Sequence, residues 1–428
     1  METIKIDIKK LGIIQNSNIE VAPVMIFSGE SGLGKSYVAM LCHYFFDVLT
    51  NGSRFNQFVK EKGWSFFEMR TALKGKEIAF SFSKNELEKW MEKDSIQYLS
   101  YMLNNEQLSA DIKITLPATI PDKIEMYWEE DIDGIEQSEE VYVKLSALNL
   151  SYRTKEETLG MESPFSYLLR FALIGKIFGD FNSLSETYLF PPSRGAILTE
   201  KFSPLSGMYR EFDKGLDKIK SIPPHPKEVD TQLVGLLKNI LVGSVNWVDG
   251  KYMYVTNGIE LPLSAAASSI RELAPIAMLA ERMEIKNIAM LIEEPEAHLH
   301  SLKQRMIADV ISLMSNAGMF MQITTHSDYF LRRINELIKL KKIQQKVGGN
   351  SDKYEEKCSE LGINAALAFK HERLSTYLLK ARTDGTSEIV KQDIDDGIPF
   401  DSFEQAIDES LEFRYRIDKY LNEEDESN

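Results

Sequence analysis

The residues best suited to chemistry lie in the stretch Gly29-Glu30-Ser31-Gly32-Leu33-Gly34-Lys35-Ser36, which fits the pattern G-x-x-x-x-G-K-[ST]. Its glycines allow backbone N–H groups to curl around an anionic phosphate. Lys35 brings a positive charge to the terminal phosphates, and the Ser36 hydroxyl is a ligand for magnesium. We therefore predict a phosphate-binding loop whose ligand is a nucleoside triphosphate.

Two elements must position this loop. The preceding residues Val24-Met25-Ile26-Phe27 form a short apolar run, as expected of a buried strand. The residues that follow, Tyr37-Val38-Ala39-Met40-Leu41-Cys42, continue as a helix whose N-terminus faces the loop and favours negative charge. We count Tyr37, at the start of this helix, among the nucleotide contacts.

A pair of acids follows a second apolar run. Asn287-Ile288-Ala289-Met290-Leu291-Ile292 predicts a strand, and Glu293 and Glu294 come directly after it. Ligands bind at the carboxyl edge of a parallel sheet. Because successive residues at a strand end diverge, we assign Glu293 to the magnesium ion and Glu294 to the attacking water. The alternative is that the acids only start a helix, with Pro295 in its first turn.

A histidine follows a third apolar run. The segment Met319-Phe320-Met321-Gln322-Ile323-Thr324-Thr325-His326-Ser327 predicts a strand that ends in polar residues, which places His326 at the same sheet edge. An imidazole there can hydrogen-bond a terminal phosphate or the attacking water. We therefore take Lys35, Glu294 and His326 as the catalytic residues.

Two other groups have alternative interpretations. Glu296, His298 and His300 can be drawn as a metal site, but a fourth ligand is missing, and we favour a structural or subunit-contact role. Arg194 follows the strand-like residues Tyr188-Leu189-Phe190. It either reaches a phosphate or a partner, or braces the sheet, and the sequence leaves both readings open.

Composition limits the partners and the compartment. The chain has 428 residues and a formal net charge of −15, which argues against broad adhesion to nucleic acid but leaves room for a local basic groove. Cys42 and Cys358 have no paired spacing, so neither a disulfide framework nor a thiolate zinc site is expected. No apolar run reaches the roughly 18 residues of a membrane span. We expect a soluble, cytoplasmic protein with no membrane partner.

The remaining pattern predicts further elements. Short strands are expected over residues 4–27, at 112–116 and at 140–145, and helices at 84–90, 164–178 and 206–243. Residues 128–134 form an acidic turn that we interpret as a solvated hairpin, prolines interrupt the helical pattern at 223–226, and the acidic tail at 422–428 is expected to fray.

The order of these motifs resembles that of the ATP-binding-cassette (ABC) ATPases of the RecF and chromosome-maintenance branch, and most closely that of the OLD-like ATPases. The resemblance is carried by the phosphate loop, by Leu263-Ser264-Ala265-Ala266-Ala267-Ser268-Ser269-Ile270-Arg271-Glu272-Leu273, by Glu293-Glu294-Pro295-Glu296-Ala297-His298-Leu299-His300 and by Thr324-Thr325-His326-Ser327. It implies an α/β fold: an ABC-type P-loop ATPase head, in which a mixed β-sheet is flanked by helices, with an inserted α/β arm or lid region.

The resemblance also implies roles for single residues. ATP and Mg²⁺ are the implied ligands, Glu293 and Glu294 follow the Walker B strand, and His326 is the switch histidine. In this family a signature segment at a helix start contacts the nucleotide held by a second subunit, and Ser268 and Ser269 align best with it. Ile270 stands where the family has glycine, and a β-branched side chain prevents the close backbone approach that glycine allows.

On this resemblance we divide the chain into four regions. Residues 1–51 are the N-terminal part of the ATPase head with the phosphate loop, 52–185 an insertion and lid region, 186–335 the remainder of the head with a helical arm, and 336–428 a C-terminal sheet and helix extension. The residues after Ser327 must also complete the ATPase sheet.

The implied function is an ATPase that forms a homodimer or higher oligomer through its heads, with ATP between them. We expect this assembly to sense a trigger and to control a separate effector, a nuclease or a toxin, in bacterial antiphage defence. One alternative is RecF-like DNA repair, since residues 331–346 are rich in lysine and arginine. The other is an OLD-like nuclease that uses Asp393, Asp395 and Asp396 as metal ligands.

Overall fold

The computed structural model describes residues 1–63, 78–132, 141–155, 163–199, 206–224, 230–399 and 401–425. The strands are β1 (Lys5–Leu11), β2 (Ile14–Glu20), β3 (Val24–Gly29), β4 (Ile78–Ser83), β5 (Ala110–Thr115), β6 (Lys123–Ile132), β7 (Val141–Ala147), β8 (Leu150–Lys155), β9 (Glu186–Phe190), β10 (Ser244–Val248), β11 (Lys251–Thr256), β12 (Ile259–Pro262), β13 (Ile288–Glu293), β14 (Phe320–Thr324), β15 (Leu374–Ala381) and β16 (Ser387–Gln392).

The helices follow in the same way along the chain. They are α1 (Lys35–Thr50), α2 (Gly52–Glu61), α3 (Lys84–Leu103), α4 (Pro164–Phe178), α5 (Gly195–Thr199), α6 (Gly207–Ser221), α7 (Thr231–Leu241), α8 (Ser268–Arg282), α9 (Ser301–Asn316), α10 (Asp328–Lys346), α11 (Ser351–Glu360) and α12 (Asp401–Asp425).

One large sheet organises the molecule. Its nine strands run in the order β5-β1-β2-β16-β15-β3-β14-β13-β9. The strands from β15 through β3, β14 and β13 to β9 are parallel to their neighbours, whereas β5, β1 and β2 pair antiparallel, as do β15 and β16. Because β3, β14 and β13 are adjacent and parallel, the residues that follow them meet at one edge.

Helices cover both faces of this sheet, which explains why its central strands are continuous apolar runs. Every residue of β3, β13 and β14 is buried, as is usual for parallel strands between two layers of helices. One core packs α1 and α3 against the sheet and includes Phe27 and Leu291. The other packs α8, α9 and α10 against the opposite face and includes Ile26 and Ile292.

Two smaller antiparallel sheets complete the described chain. Strands β10, β11 and β12 form a three-stranded sheet directly before α8, and β4, β6, β7 and β8 form a four-stranded one. The segment that we predict as an insertion, 52–185, is not separate from the large sheet, because β5 pairs with β1 from Lys5 opposite Thr115 onward. This strand forms one edge of the large sheet.

The predicted fold class, a mixed β-sheet with flanking helices and additional α/β elements, is confirmed. The predicted strands at 4–27, 112–116 and 140–145 and the helices at 84–90 and 164–178 are present. The residues after Ser327 do complete the sheet, because β15 lies beside β3. Two predictions are wrong in their described parts: residues 128–132 of the acidic turn are the end of β6, and residues 422–425 of the tail belong to α12. The rest of these segments and of the proline interruption, at 133–134, 426–428 and 225–226, lies outside the described residues. The division into four regions stays a prediction.

A single tyrosine joins the late strand β15 to the end of β2. The Tyr377 hydroxyl donates to the Glu20 carbonyl oxygen and accepts from the Glu20 N–H, each at 3.0 Å. The Tyr377 side chain is fully buried, and its ring stacks on Phe27 of β3.

We expect Tyr377→Phe to lower the free energy of unfolding by about 1–3 kcal/mol, because it leaves two backbone groups of Glu20 without this partner. Urea unfolding followed by circular dichroism measures the change. Tyr415→Phe is the matched control, because Tyr415 is 68% exposed and should change stability little. Equal stabilities of the two variants would contradict this assignment.

Candidate functional site

The phosphate loop connects β3 to α1, as its flanking residues predict. Gly29 has a φ of 126°, and a Cβ there would lie 2.5 Å from the Leu379 carbonyl oxygen of β15. Gly34 has a φ of 96°, and a Cβ there would lie 2.8 Å from the Ile14 side chain. At both positions any other residue would be strained and would also clash, so the loop can follow its path only with glycine.

The first turn of α1 faces the space enclosed by the loop. Gly34 is the N-cap of α1 and supplies no side-chain hydrogen bond to the first turn. The N–H groups of this turn are therefore available to an anion, and the helix dipole favours negative charge there. Glu30 and Ser31 are exposed, and Tyr37 is half-buried. The hydroxyl of the buried Ser387 in β16 donates a hydrogen bond to the Leu33 carbonyl oxygen of the loop at 2.9 Å.

Lys35 lies folded against its own loop. Its Nζ donates to the carbonyl oxygens of Gly29 at 2.9 Å and of Glu30 at 2.6 Å. Burial lowers the pKa of Lys35 to about 8, although the carboxylates of Glu294 and Glu293 oppose this shift. The ammonium group is therefore charged at neutral pH and can exchange loop carbonyls for phosphate oxygens.

The structure brings Ser36 and Glu293 together. The Ser36 hydroxyl donates to Glu293 Oε2 at 2.5 Å, across 257 positions of sequence. Glu293 is the last residue of β13 and is buried, and burial raises its pKa to about 7. Its other oxygen, Oε1, is buried without a hydrogen-bond partner among the described residues. A hydroxyl and a carboxylate with an unused oxygen are the hard oxygen ligands that Mg²⁺ prefers, so these residues fit a magnesium ion.

Glu294 turns away from Glu293. Its φ of 47° lies in the left-handed region, and its N–H donates to the Thr324 carbonyl oxygen at 3.0 Å. The Glu294 side chain is partly exposed, and its Oε1 lies 3.6 Å from His326 Nε2. A non-glycine residue in this backbone region is a strained conformation of the kind that collects at active sites. The strain separates the two carboxylates into a buried one and an accessible one.

His326 lies between Glu294 and Lys35. Its Nδ1 is 3.5 Å from Lys35 Nζ, while its Nε2 faces Glu294. Burial and the positive charge of Lys35 lower the pKa of His326. This shift favours the neutral imidazole, which can donate from one nitrogen while accepting at the other.

A buried carboxylate below the site fixes the position of His326. Glu296 accepts hydrogen bonds from the Thr325 hydroxyl at 2.6 Å and from the His326 backbone N–H at 3.0 Å. Burial raises the pKa of Glu296. The sequence singled out Glu296 only as part of a metal group that it rejected, and the structure shows a bracing residue instead. In the described part of the chain, no group of three or more His, Cys, Asp or Glu side chains is placed so that it could hold a metal ion.

His298 and His300 lie outside this arrangement. Both are exposed, and His298 has a φ of 61°. His300 is the N-cap of α9, where its Nδ1 accepts from the Leu302 N–H at 3.4 Å. The structural role that the sequence favours is thus visible for His300.

Arg194 braces the sheet and does not reach a phosphate. Its side chain is fully buried, and its Nη1 donates to the carbonyl oxygens of Glu293 at 3.0 Å and of Pro191 at 3.1 Å. Its Nε donates to the carbonyl oxygen of Glu272 in α8 at 2.7 Å. The first of the two alternatives for Arg194 is therefore wrong, because no part of the guanidinium is open to a ligand.

The signature-like serines lie apart from the phosphate loop of their own chain. Ser268 and Ser269 are the first residues of α8, and Ser268 is exposed and accepts from Arg271 at 3.3 Å. Among the described residues neither serine hydrogen-bonds the loop. Ala267 is the N-cap and leaves the first turn of α8 without a side-chain cap, and Ile270 packs half-buried against the core.

The acids and cations behind the alternative functions have other partners. Asp393 accepts the N–H of Asp395 in the turn after β16, and Asp396 pairs with Lys342 at 3.1 Å. In α10, Arg332 pairs with Asp328, and Arg333 pairs with Asp309. Asp393 and Asp395 thus take part in a turn, and ion pairs with neighbouring acids partly neutralise the cations of α10.

Residues 172–331 match the model of the AAA ATPase domain. The matched part is less than half of the chain. It contains Arg194, Ser268, Glu293, Glu294 and His326, while the phosphate loop lies outside it. No curated protein matches the chain significantly. The match and the loop together support an ATPase of the P-loop type.

Among solved structures the chain is similar to heads of SMC proteins. An Smc head bound to the C-winged helix domain of ScpA is 14% identical, with a TM-score of 0.37 over 92% of this chain and 98% of that one. The SMC head from Thermotoga maritima is 11% identical, with a TM-score of 0.33 over 92% and 100%. An Smc head derived from Pyrococcus furiosus, bound to the C-terminal domain of ScpA, is 12% identical, with 0.37 over 97% and 100%. At TM-scores this low the likeness carries no argument about the chain.

We expect Lys35→Ala to weaken MgATP binding by roughly 10- to 100-fold, because it removes a charge-assisted contact to the phosphates. Isothermal titration calorimetry on the purified chain measures the affinity. Lys353→Ala, which changes an exposed lysine of α11, is the control and should bind as the wild type does. Unchanged affinity in Lys35→Ala would remove this lysine from the site.

Glu293 makes folding stability depend on pH. Because burial raises its pKa from 4.5 to about 7, its contribution to stability is complete below 4.5 and is lost as the pH rises through about 7. We expect Glu293→Gln, which stays neutral, to gain up to about 3 kcal/mol over the wild type between about pH 5 and about pH 8 in the absence of metal.

Urea unfolding at both pH values, with a chelator present, measures this gain. Glu355→Gln removes an exposed acid of α11 and serves as the control. If the difference in unfolding free energy between Glu293→Gln and the wild type did not vary with pH, the raised pKa of Glu293 in the folded protein would be refuted.

Proposed function

We propose that the chain is an ATP-binding and ATP-hydrolysing ABC-type ATPase whose heads dimerise head to tail on ATP, and that this assembly senses a trigger and controls a separate effector in bacterial antiphage defence. The observation that carries the ATPase assignment is the convergence of Lys35, Ser36, Glu293, Glu294 and His326 at one sheet edge. These groups come from the carboxyl ends of the neighbouring strands β13 and β14 and from the start of α1, the helix that follows β3.

Each residue has a defined part in hydrolysis. The loop N–H groups and Lys35 bind the phosphates, and Ser36 and Glu293 would hold a magnesium ion. Magnesium, when bound, neutralises charge on the β- and γ-phosphates. Glu294 accepts a proton from a water whose oxygen attacks the γ-phosphorus, and the bond from that phosphorus to the bridging oxygen breaks to give ADP and phosphate. The neutral His326 hydrogen-bonds the transferred phosphate.

The proposed dimer is supported by what a single chain leaves incomplete. The first turn of α8 carries two serines and has no side-chain cap, and among the described residues the serines make no hydrogen bond to their own loop. In the proposed dimer these serines contact the γ-phosphate bound by the partner subunit. ATP then stabilises the dimer, and cleavage removes the bridging phosphate, so that the two states differ in affinity between the heads.

A separate effector is favoured by the C-terminal helix. All side chains of residues 408–421 in α12 are exposed. So many exposed apolar side chains on one helix are typical of a surface that binds a partner. The large ones are Leu411, Phe413, Tyr415, Ile417, Tyr420 and Leu421. In the proposed assembly, the nuclease or toxin contacts α12.

DNA repair is the alternative that remains to be tested. Lys341 and Lys342 lie half-exposed on α10, and Lys342 is already paired with Asp396. Salt-dependent DNA binding that is lost on reversing both lysines to glutamate would favour the alternative. Purification of the Glu294→Gln complex in ATP from its own cells identifies the partner directly, and a nuclease or toxin in fixed ratio to the chain would favour effector control.

Replacing the accessible acid tests the ATPase mechanism. We expect Glu294→Gln to bind MgATP with nearly unchanged affinity and to slow hydrolysis by roughly 100- to 10,000-fold, the effect of losing a positioned general base. The trapped ATP should shift the chain to a dimer, which light scattering after size-exclusion chromatography detects. Glu355→Gln is the control, and it should hydrolyse ATP at the wild-type rate. Rapid hydrolysis by Glu294→Gln would refute the assignment.

A further inference from the structure

One buried arginine connects three elements that the ATPase needs in register. The guanidinium of Arg194 donates to carbonyl oxygens at the end of β9, at the end of β13 and in the second turn of α8, through Pro191, Glu293 and Glu272. Its side chain has no exposed surface, so solvent does not compete for these bonds. Charge-assisted hydrogen bonds in such surroundings are the strong ones.

The backbone around Arg194 is arranged for this contact. Ser193 has a φ of 54°, a strained conformation for a residue other than glycine. Gly195 lies so close to α8 that a Cβ would be 2.8 Å from Arg271 Cβ. The Gly195 N–H donates to Glu272 Oε1 at 3.2 Å. The turn and α8 therefore touch backbone to backbone, with Glu272 bonded from two consecutive residues.

The contact also retains unused bonding capacity. Arg194 Nη2 and Glu272 Oε2 are buried without hydrogen-bond partners among the described residues. Unsatisfied buried groups cost free energy, so a contact that served stability alone would be expected to satisfy them. A buried ion pair is also weak evidence for stability. Arg194 holds both the main chain at the end of β13 and the helix α8, which begins with Ser268 and Ser269. It is therefore a candidate for a functional role.

We propose that Arg194 is a positioning residue for two ATP sites at once: it holds the main chain of Glu293 in its own site, and it holds α8 in the place from which Ser268 and Ser269 serve the partner's site. The inference rests on the proposed head-to-tail dimer. Arg194 touches no nucleotide, and its effect is on where Glu293 and α8 lie.

A pair of distinguishable chains separates the two effects. The first chain carries Lys35→Ala, which weakens its ATP binding but leaves α8 in place. The second carries Glu294→Gln, so that it holds ATP without cleaving it, and the ATP concentration is chosen to fill only the second chain. Association of the two chains in MgATP, measured with a fluorescent donor on one and an acceptor on the other, then reports a single composite site. Arg194→Lys is placed on one chain or on the other.

We expect Arg194→Lys to weaken association roughly 10-fold or more on either chain, because lysine cannot make three hydrogen bonds in this fork geometry. On the second chain Arg194→Lys should also weaken MgATP binding, because it releases the main chain of Glu293, the proposed magnesium ligand. Gly195→Ala displaces α8 but leaves the bond from Arg194 to Glu293, so it should weaken association mainly when it is on the first chain.

Arg282→Lys is the matched control. Arg282 is a buried arginine at the other end of α8, and its Nη1 donates to the carbonyl oxygen of Ile222 at 2.6 Å. We expect Arg282→Lys to leave association unchanged on either chain, and thermal unfolding of each variant shows whether it is folded. A loss with Arg194→Lys on only one of the two chains, or on neither, overturns the inference. Failure of the unsubstituted pair to associate in MgATP refutes the dimer itself.

Discussion

The hydrogen bond between Ser36 and Glu293 is the constraint on which the site depends. It joins the start of α1 to the end of β13, two segments 257 positions apart. Neither residue could hold a metal ion alone, because a hydroxyl is a weak ligand and an isolated buried carboxylate would take up a proton. Their meeting requires that β3, β14 and β13 run parallel, in that order, with their carboxyl ends level.

Around this bond the structure places charge in layers. Glu293 and Glu296 are buried carboxyls whose pKa burial raises, while Glu294 is partly exposed, and His326 separates it from the ammonium of Lys35. Without a ligand, the positive charge of Lys35 is met by carbonyl oxygens of its own loop. The site thus has one accessible acid, Glu294, and one cation, Lys35, whose ammonium group can move from the loop carbonyls to a ligand. His326 lies between the two. Such an arrangement suits a reaction in which charge that develops on the substrate meets protein groups already in place.

Much of this could be predicted from the sequence because phosphate binding constrains residue types locally. The glycines, Lys35 and Ser36 lie within one turn between a strand and a helix, and the two glutamates directly follow an apolar run. The contacts that depend on distant pairing could not be predicted in this way. Nothing in the sequence near Ser387 indicates that its hydroxyl supports Leu33, since the two are 354 positions apart.

Burial was the other quantity that the sequence could not supply. Arg194 lies next to prolines and a glycine, as an exposed loop arginine often does, and only the packing of α8 over it shows that it is fully enclosed. Glu296 likewise has the same residue type as its catalytic neighbours, and its partners Thr325 and His326 show that it is structural. Residue type predicts what a side chain can do, whereas its neighbours decide which of these things it does.

The place of β15 has a consequence for how the protein is made. The strand that carries the phosphate loop lies between β14 and β15, and β15 ends at Ala381, close to the end of the chain. A ribosome that has finished the loop must still add more than three hundred residues before both neighbours of β3 exist, which takes tens of seconds at ordinary rates of synthesis. A chain that stops before β15 therefore lacks one of the two strands that flank β3.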